Sequence, residues 1–165
     1  MEPIIAPNLK LLFIGLNPAV TSYENGVYFS SRRKFWELLH ESGLTTETIV
    51  GRNWQRGDDK RLLSYGMGIT DLIHTPSDQF RRHDFTLDER KRLADEIAYA
   101  NPRILAFLGK KAYATYTGMA PLDYGWQTPN PEGRLVFVLP FPTTTPIPHA
   151  QRVSLYRELA KSLVS

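Results

Sequence analysis

The sequence contains no cysteine, no long apolar run and no basic leader segment. Without thiols there can be no disulfide, thiolate nucleophile, zinc–thiolate site or iron–sulfur cluster. No stretch approaches the roughly 18 apolar residues that a bilayer crossing needs, and the first residues do not resemble a signal peptide. We therefore expect no membrane partner, a cytoplasmic location, and chemistry that uses oxygen and nitrogen groups.

Motifs for common cofactors are also missing. The histidines His74, His83 and His149 are scattered rather than set at metal-ligand spacing. There is neither a Gly-x-Gly-x-x-Gly fingerprint nor a P-loop for a nucleotide. We therefore expect no metal and no cofactor.

Length and composition are those of an ordinary globular protein. The chain has 165 residues, of which 42% are hydrophobic and 22% charged, values that favour one domain over 1–165 and, we expect, a monomer. The formal net charge of +3 allows an anionic partner but does not demonstrate one.

Short apolar runs alternate with segments of helical periodicity. Such alternation predicts an α/β fold: a single three-layer domain whose central, mostly parallel four-stranded sheet is flanked by helices. A capping box at Thr86–Glu89 marks the start of one of these helices. We predict strands at 9–15, 66–73, 104–108 and 135–139, and helices at 32–42, 87–100, 110–117 and 149–164.

Each predicted strand is followed by a polar or glycine-containing segment. Parallel sheets bind ligands at the carboxyl ends of their strands, because loops and helix N-termini converge there. We therefore expect one site built from these segments: Gly15–Pro18, Thr70–Asp71, Gly109–Lys111 and Pro140–Thr145.

Asn17 and Asp71 are the candidate catalytic residues. An amide cannot remove a proton at neutral pH, but it can orient a water, which suits a reaction whose leaving group departs largely by itself. The carboxylate of Asp71 can orient or deprotonate that water, and the two side chains can hold one water between them. The alternatives are an Asn-Pro turn at Asn17 and a turn cap at Asp71.

Six collinear segments resemble the mismatch-specific uracil/thymine-DNA glycosylase family of the uracil-DNA glycosylase superfamily. The similarity runs from about Leu11 to the final helix. It implies a central parallel sheet with a base pocket at its carboxyl edge. The segments are Gly15–Pro18, Lys34–Leu39, Ser42–Thr45, Gly68–Leu72, Leu108–Tyr113 and Val138–Pro140.

The resemblance also implies an activity in base excision repair. Such an enzyme flips a uracil or mispaired base out of double-stranded DNA, breaks the bond to the sugar with water, and leaves an abasic site. Single-stranded DNA is an alternative partner. No lysine lies in the first motif, so we expect a monofunctional enzyme without a Schiff-base step.

By the same resemblance, Asn17 positions the attacking water and Phe29 stacks on the flipped base. The backbone of Leu16 and its neighbours Gly15 and Pro18 faces the carbonyl groups of the base, and Tyr28 adjoins the pocket. An aromatic pair at 28–29 is, however, also typical of a hydrophobic core.

DNA contacts are expected from two further segments. Lys110 and Lys111 begin a helix, where backbone N–H groups and positive charge favour a phosphate; a solvated surface is the alternative.

The loop after Leu139 departs from the family, which has an Asn-Pro-Ser-Gly type of segment there. Its four prolines stiffen it. Its candidate contacts are Phe141 as an apolar wedge, the hydroxyls of Thr143, Thr144 and Thr145, and His149 against a phosphate.

The sequence is also compatible with two other functions. One is a glycosylase for deaminated purines, which need a wider pocket than pyrimidines. The other is a module that binds mismatched or damaged DNA without cutting it, an interpretation that the altered loop permits.

Overall fold

A five-stranded sheet forms the centre of the computed structural model, which describes residues 1–121 and 123–164. The strand order is β2-β1-β3-β5-β4, with β4 antiparallel to β5 and all other pairs parallel. The strands are β1 (Leu11–Gly15), β2 (Met67–Asp71), β3 (Ile104–Leu108), β4 (Gly125–Gln127) and β5 (Leu135–Leu139).

The fold class predicted from the sequence is confirmed, but the strand count was one too low. The additional strand β4 lies at the edge of the sheet and has only three residues, Gly-Trp-Gln. Such a segment carries no apolar alternation, so only its pairing with β5 reveals it. Its Trp126 packs edge-on against Phe137, with ring centroids 4.8 Å apart.

Five α-helices accompany the sheet in the described part of the chain. They are α1 (Val20–Asn25), α2 (Lys34–Glu41), α3 (Leu87–Ala100), α4 (Lys110–Thr117) and α5 (His149–Lys161), with 3-10 helices at Asp58–Tyr65 and Arg82–Asp84. The sequence did not predict α1, which is six residues long and has no side-chain cap of its own. The predicted helix start is confirmed, because the Thr86 hydroxyl accepts the Glu89 N–H at 3.2 Å. The other half of the capping box is not formed, since the Glu89 carboxylate accepts from the His74 N–H and from Arg92 instead.

The sheet is buried on both faces, which explains why its parallel strands are continuous apolar runs. Phe13 and Phe137 belong to one core, which includes side chains of α2 and α5. Ile14 and Phe107 belong to a second core, together with side chains of α3 and α4. These two cores define the three layers.

Among residues 1–121 and 123–164 there is no helix with both the length and the apolar character that a bilayer crossing requires.

Gly68 provides a test of the packing at β2. An added Cβ would lie 2.4 Å from the Ile4 carbonyl oxygen and 2.7 Å from Leu9 Cδ1. We expect Gly68→Ala to lower the free energy of unfolding by about 1–3 kcal/mol, because this packing must shift. Urea denaturation measures the change. The control is Gly51→Ala, whose Cβ would meet only Thr48 O at 3.9 Å; equal losses in both variants would contradict the packing argument.

Candidate active site

A cleft of about 520 Å³ opens at the carboxyl ends of β1 and β2. Most of the site residues predicted from the sequence line this cleft, on four separate segments of the chain. They are Gly15, Leu16, Asn17 and Pro18 at and after the end of β1, Tyr28 and Phe29 before α2, Asp71 at the end of β2, and Phe141, Thr143 and Thr144 after β5.

Asn17 is held in one orientation. Its Nδ2 donates to the carbonyl oxygen of Ser77 at 2.6 Å. Because the amide nitrogen is engaged in this way, Oδ1 is the acceptor that remains to hold a water or a ligand N–H. The residue therefore offers an oriented hydrogen-bond acceptor at the end of β1.

The segment 77–80 forms a wall of the cleft that the sequence did not predict. Ser77 N–H donates to Pro18 O at 3.0 Å, and Asp78 Oδ1 accepts the Val20 N–H at 3.2 Å. Phe80 lines the same cleft. No local motif signals this role, since Ser77 lies 60 residues from Asn17 along the chain.

Asp71 is buried, with only 6% of its surface exposed. It pairs in register with Gly15 on β1, and a Cβ on that glycine would lie 2.5 Å from Asp71 Oδ1. A side chain at position 15 would therefore displace the carboxyl group. No residue within 1–121 or 123–164 hydrogen-bonds to this carboxyl, which lines the cleft.

Burial raises the pKa of Asp71 to about 7, and the nearby Arg92 guanidinium opposes the rise. The carboxyl group therefore changes its protonation state near neutral pH. A group with such a pKa can accept a proton from water during a reaction.

Arg92 on α3 fixes the end of β2. Its Nη2 donates to the carbonyl oxygens of Asp71 at 2.7 Å and Leu72 at 2.9 Å. The same guanidinium forms ion pairs with Glu89 at 2.9 Å and Glu96 at 2.7 Å. This network holds the backbone of Asp71 while its side chain lies at the cleft.

Two aromatic residues form another side of the cleft. Phe29 stacks on Phe35 with ring centroids 4.7 Å apart and lies 6.2 Å from the Phe141 ring. Tyr28 is 4% exposed, and burial, with the Asp71 charge as the next cause, raises the pKa of its phenol. Since none of the described residues hydrogen-bonds to this hydroxyl, the protonated phenol is an available donor.

The proline-rich loop after β5 is anchored from α5. Tyr156 donates its hydroxyl to Pro140 O at 2.8 Å, and Arg152 donates to Thr145 O. Thr143 and Thr144 are exposed at the rim of the cleft. The loop is therefore anchored at Pro140 and Thr145, and between them it presents the hydroxyls of Thr143 and Thr144 beside the cleft.

Lys110, Lys111, Thr145 and His149 are not brought into the cleft lining. Lys110 Nζ lies 4.5 Å from the Tyr124 ring centroid, whereas Lys111 is exposed and its Nζ lies 5.8 Å from the ring of the cleft residue Phe80. His149 Nε2 is 3.0 Å from the Glu41 carboxylate. These residues lie outside the cleft, and Lys111 is in contact with one of its walls.

An α/β fold with a polar and aromatic cleft at the carboxyl edge of its parallel strands has its cleft where proteins of this class bind their ligands. The chain matches the family model of the uracil DNA glycosylase superfamily over residues 2–162. It belongs to that superfamily, as the resemblance in its motifs predicted. Membership supports a DNA glycosylase, a hydrolase of base excision repair that acts on DNA.

The buried carboxyl group gives stability a specific pH dependence. The pKa of Asp71 is raised from 3.8 to about 7 on folding, so the unfolded chain releases a proton that the folded protein retains. The contribution of Asp71 to wild-type stability should therefore fall as pH rises from about 4 to about 7. Asp71→Asn lacks this titration, so we expect the Tm of Asp71→Asn minus the Tm of wild type to become more positive across that window and then level off.

Calorimetry of both proteins across this range measures the difference in Tm. Asp95→Asn removes an exposed carboxyl on α3 and is the control. A Tm difference for Asp71→Asn that is the same at every pH would contradict the raised pKa.

Proposed function

We propose that this chain is a monofunctional, mismatch-specific DNA glycosylase that flips uracil out of double-stranded DNA and excises it with water, acting as a monomer. One observation carries the proposal: an oriented amide (Asn17), a buried carboxyl (Asp71) and an aromatic platform (Phe29) line one cleft. A reaction with these groups needs no metal and no enzyme amine.

Base binding uses the aromatic side of the cleft. The flipped base stacks on Phe29, a type of contact worth about 1–3 kcal/mol per base. The Tyr28 hydroxyl donates to a carbonyl of the base, and the backbone of Gly15, Leu16 and Pro18 faces its other polar groups. The cleft volume of about 520 Å³ accommodates one base.

Water attack uses Asn17 and Asp71. The Asn17 Oδ1 and the Asp71 carboxylate hold a water beneath the anomeric carbon of the extruded nucleotide. The bond between sugar and base breaks with its electron pair leaving on the base, through an oxocarbenium-like sugar. The water oxygen bonds to the anomeric carbon, and its proton passes to Asp71. The base leaves as an anion and takes up a proton from solvent, and Asp71 releases its proton to solvent, so the products are the free base and an abasic site.

Substrate DNA lies across the rim of the cleft. Phe141 fills the gap left by the flipped base, and the hydroxyls of Thr143 and Thr144 contact phosphates, with Thr145 supporting their loop. Lys111 contributes positive charge beside the Phe80 wall and Lys110 contributes it beside Tyr124. His149, which lies outside the cleft lining and is paired with Glu41, is the remaining phosphate contact.

A deaminated purine is the second candidate substrate. The specific observation is the cleft volume of about 520 Å³, which also suffices for a purine. Duplexes that carry hypoxanthine or xanthine separate this candidate from a pyrimidine-specific enzyme.

The decisive experiment measures alkali-sensitive abasic sites in a labelled duplex with one G·U pair, in the presence of chelator. We expect wild type to form abasic sites, and Asn17→Ala and Asp71→Asn to be slower by roughly 100-fold or more, the range for losing a positioned acid–base group. Asn53→Ala and Asp95→Asn are matched controls at exposed positions outside the cleft.

The pH profile of the same reaction separates the two roles. Wild-type kcat/KM should rise with pH to a plateau above about 7, where Asp71 is ionised, and Asp71→Asn should lack this limb. If wild type binds the G·U, G·T and deaminated-purine duplexes tightly but cuts none of them, the protein is a lesion-binding module rather than an enzyme.

The contribution of Lys111 is tested by salt dependence. Replacing a lysine that contacts a phosphate lowers the slope of log affinity against log salt by about one unit and weakens binding to all sequences alike. We expect this for Lys111→Ala, measured with an uncleaved duplex over a range of salt. Lys91→Ala, exposed on α3 and outside the cleft lining, is the control; identical slopes for the two variants would remove Lys111 from the interface.

A further inference from the structure

The backbone of Tyr28 is held at both its N–H and its carbonyl oxygen by buried side chains. Its N–H donates to Asp59 Oδ2 at 2.9 Å, and its carbonyl oxygen accepts from Trp36 Nε1 at 2.8 Å. Asp59 belongs to the 3-10 helix Asp58–Tyr65, and Trp36 to α2. Neither residue lines the cleft. The two contacts therefore act on the cleft only through the segment that they hold.

The next residue, Phe29, adopts an unusual backbone conformation. Its φ is +51°, which lies in the left-handed region that bulky side chains rarely occupy. A conformation of this kind persists only where the surrounding structure imposes it, and it is often found at functional sites. The two hydrogen bonds to Tyr28 are the restraint immediately before this residue.

Asp59 is poorly suited to a purely stabilising role. It is 3% exposed, and its Oδ1 has no hydrogen-bond partner among the described residues. Burial raises the pKa of this carboxyl. A buried polar atom without a partner opposes folding. The side chain does accept a hydrogen bond from the Tyr28 N–H, and Tyr28 lies 31 residues away in sequence.

We propose that Asp59, together with Trp36, is a positioning residue that fixes the backbone on both sides of the Tyr28 Cα and so presents the Phe29 ring to the flipped base. This inference rests on the proposed function of the cleft, in which Phe29 is the stacking platform. A ring held in place before the base arrives avoids the entropy loss of ordering it during binding.

A double-mutant cycle tests whether Asp59 acts through Phe29. Asp59→Leu, which has no acceptor, is compared with Asp59→Asn, which retains one, in the wild-type and Phe29→Ala backgrounds. We expect Asp59→Leu to lower kcat/KM on the G·U duplex by about 10-fold in the wild-type background, within the range of coupling between residues in one network. In the Phe29→Ala background, Asp59→Leu should lower kcat/KM by less than about twofold, which is the error within which independent effects normally add.

Two controls separate positioning from a general loss of structure. Asp58→Leu alters the same 3-10 helix through a carboxylate that contacts Gln55 and Arg61 rather than Tyr28, so its effect should be equal in both backgrounds. Asp59→Asn should restore most of the activity, because its side-chain oxygen can accept the Tyr28 N–H. An equal loss from Asp59→Leu in both backgrounds would overturn the proposal.

Two measurements that do not depend on catalysis test the positioning role of Asp59 separately from the proposed function. Affinity for a duplex with a non-cleavable 2′-fluorinated uridine is measured for the same variants, and amide hydrogen exchange is measured at Tyr28 without DNA. Exchange should rise at least about tenfold in Asp59→Leu but not in Asp59→Asn, because only the former loses the acceptor. If exchange at Tyr28 is the same in Asp59→Leu as in wild type, the positioning role is wrong even if the enzyme is active. If wild type cuts no duplex, only the proposed function is refuted.

Discussion

The close approach of β1 and β2 at Gly15 and Asp71 is the contact around which the candidate site is arranged. The missing side chain at position 15 leaves the space that the Asp71 carboxyl fills. The same strand end continues into Asn17, so one backbone register decides where both polar groups lie. Arg92 holds the other side of this strand end through two carbonyl oxygens. The placement of these two polar groups therefore depends on strand pairing as much as on the two side chains.

Several features of the cleft and of the residues behind it oppose stability. Asp71 is buried without a hydrogen-bond partner for its carboxyl among the described residues, and Phe29 has a left-handed backbone. Asp59 adds an unpaired buried oxygen behind the aromatic side. Unfavourable features of this kind are tolerated where an active site needs a group held ready or a pKa near neutral. The two apolar cores on either side of the sheet supply the stability that offsets them.

The rim of the cleft is assembled from segments far apart in the chain. Ser77 and Asp78 bond to the loop after β1, while the proline-rich loop after β5 is held by Tyr156 and Arg152 of α5. Both segments lack regular secondary structure. Hydrogen bonds nevertheless join the first to the start of α1 and the second to α5. A rim of this kind suits a long, anionic ligand such as DNA, because it presents the exposed hydroxyls of Thr143 and Thr144 beside the cleft.

The sequence by itself determined the α/β class, the four long strands and the segments that carry Asn17 and Asp71, because apolar runs and turn residues act over a few neighbouring positions. It did not reveal β4 or α1, which are too short for a periodic signal. Nor did it reveal the contact of Ser77 with Asn17 or that of Asp59 with Tyr28. Those pairs are 60 and 31 residues apart, and each consists of a side chain bonded to a backbone group, which any residue possesses. Only the tertiary structure could decide them, since nothing local in a sequence marks which distant backbone atom a side chain will meet.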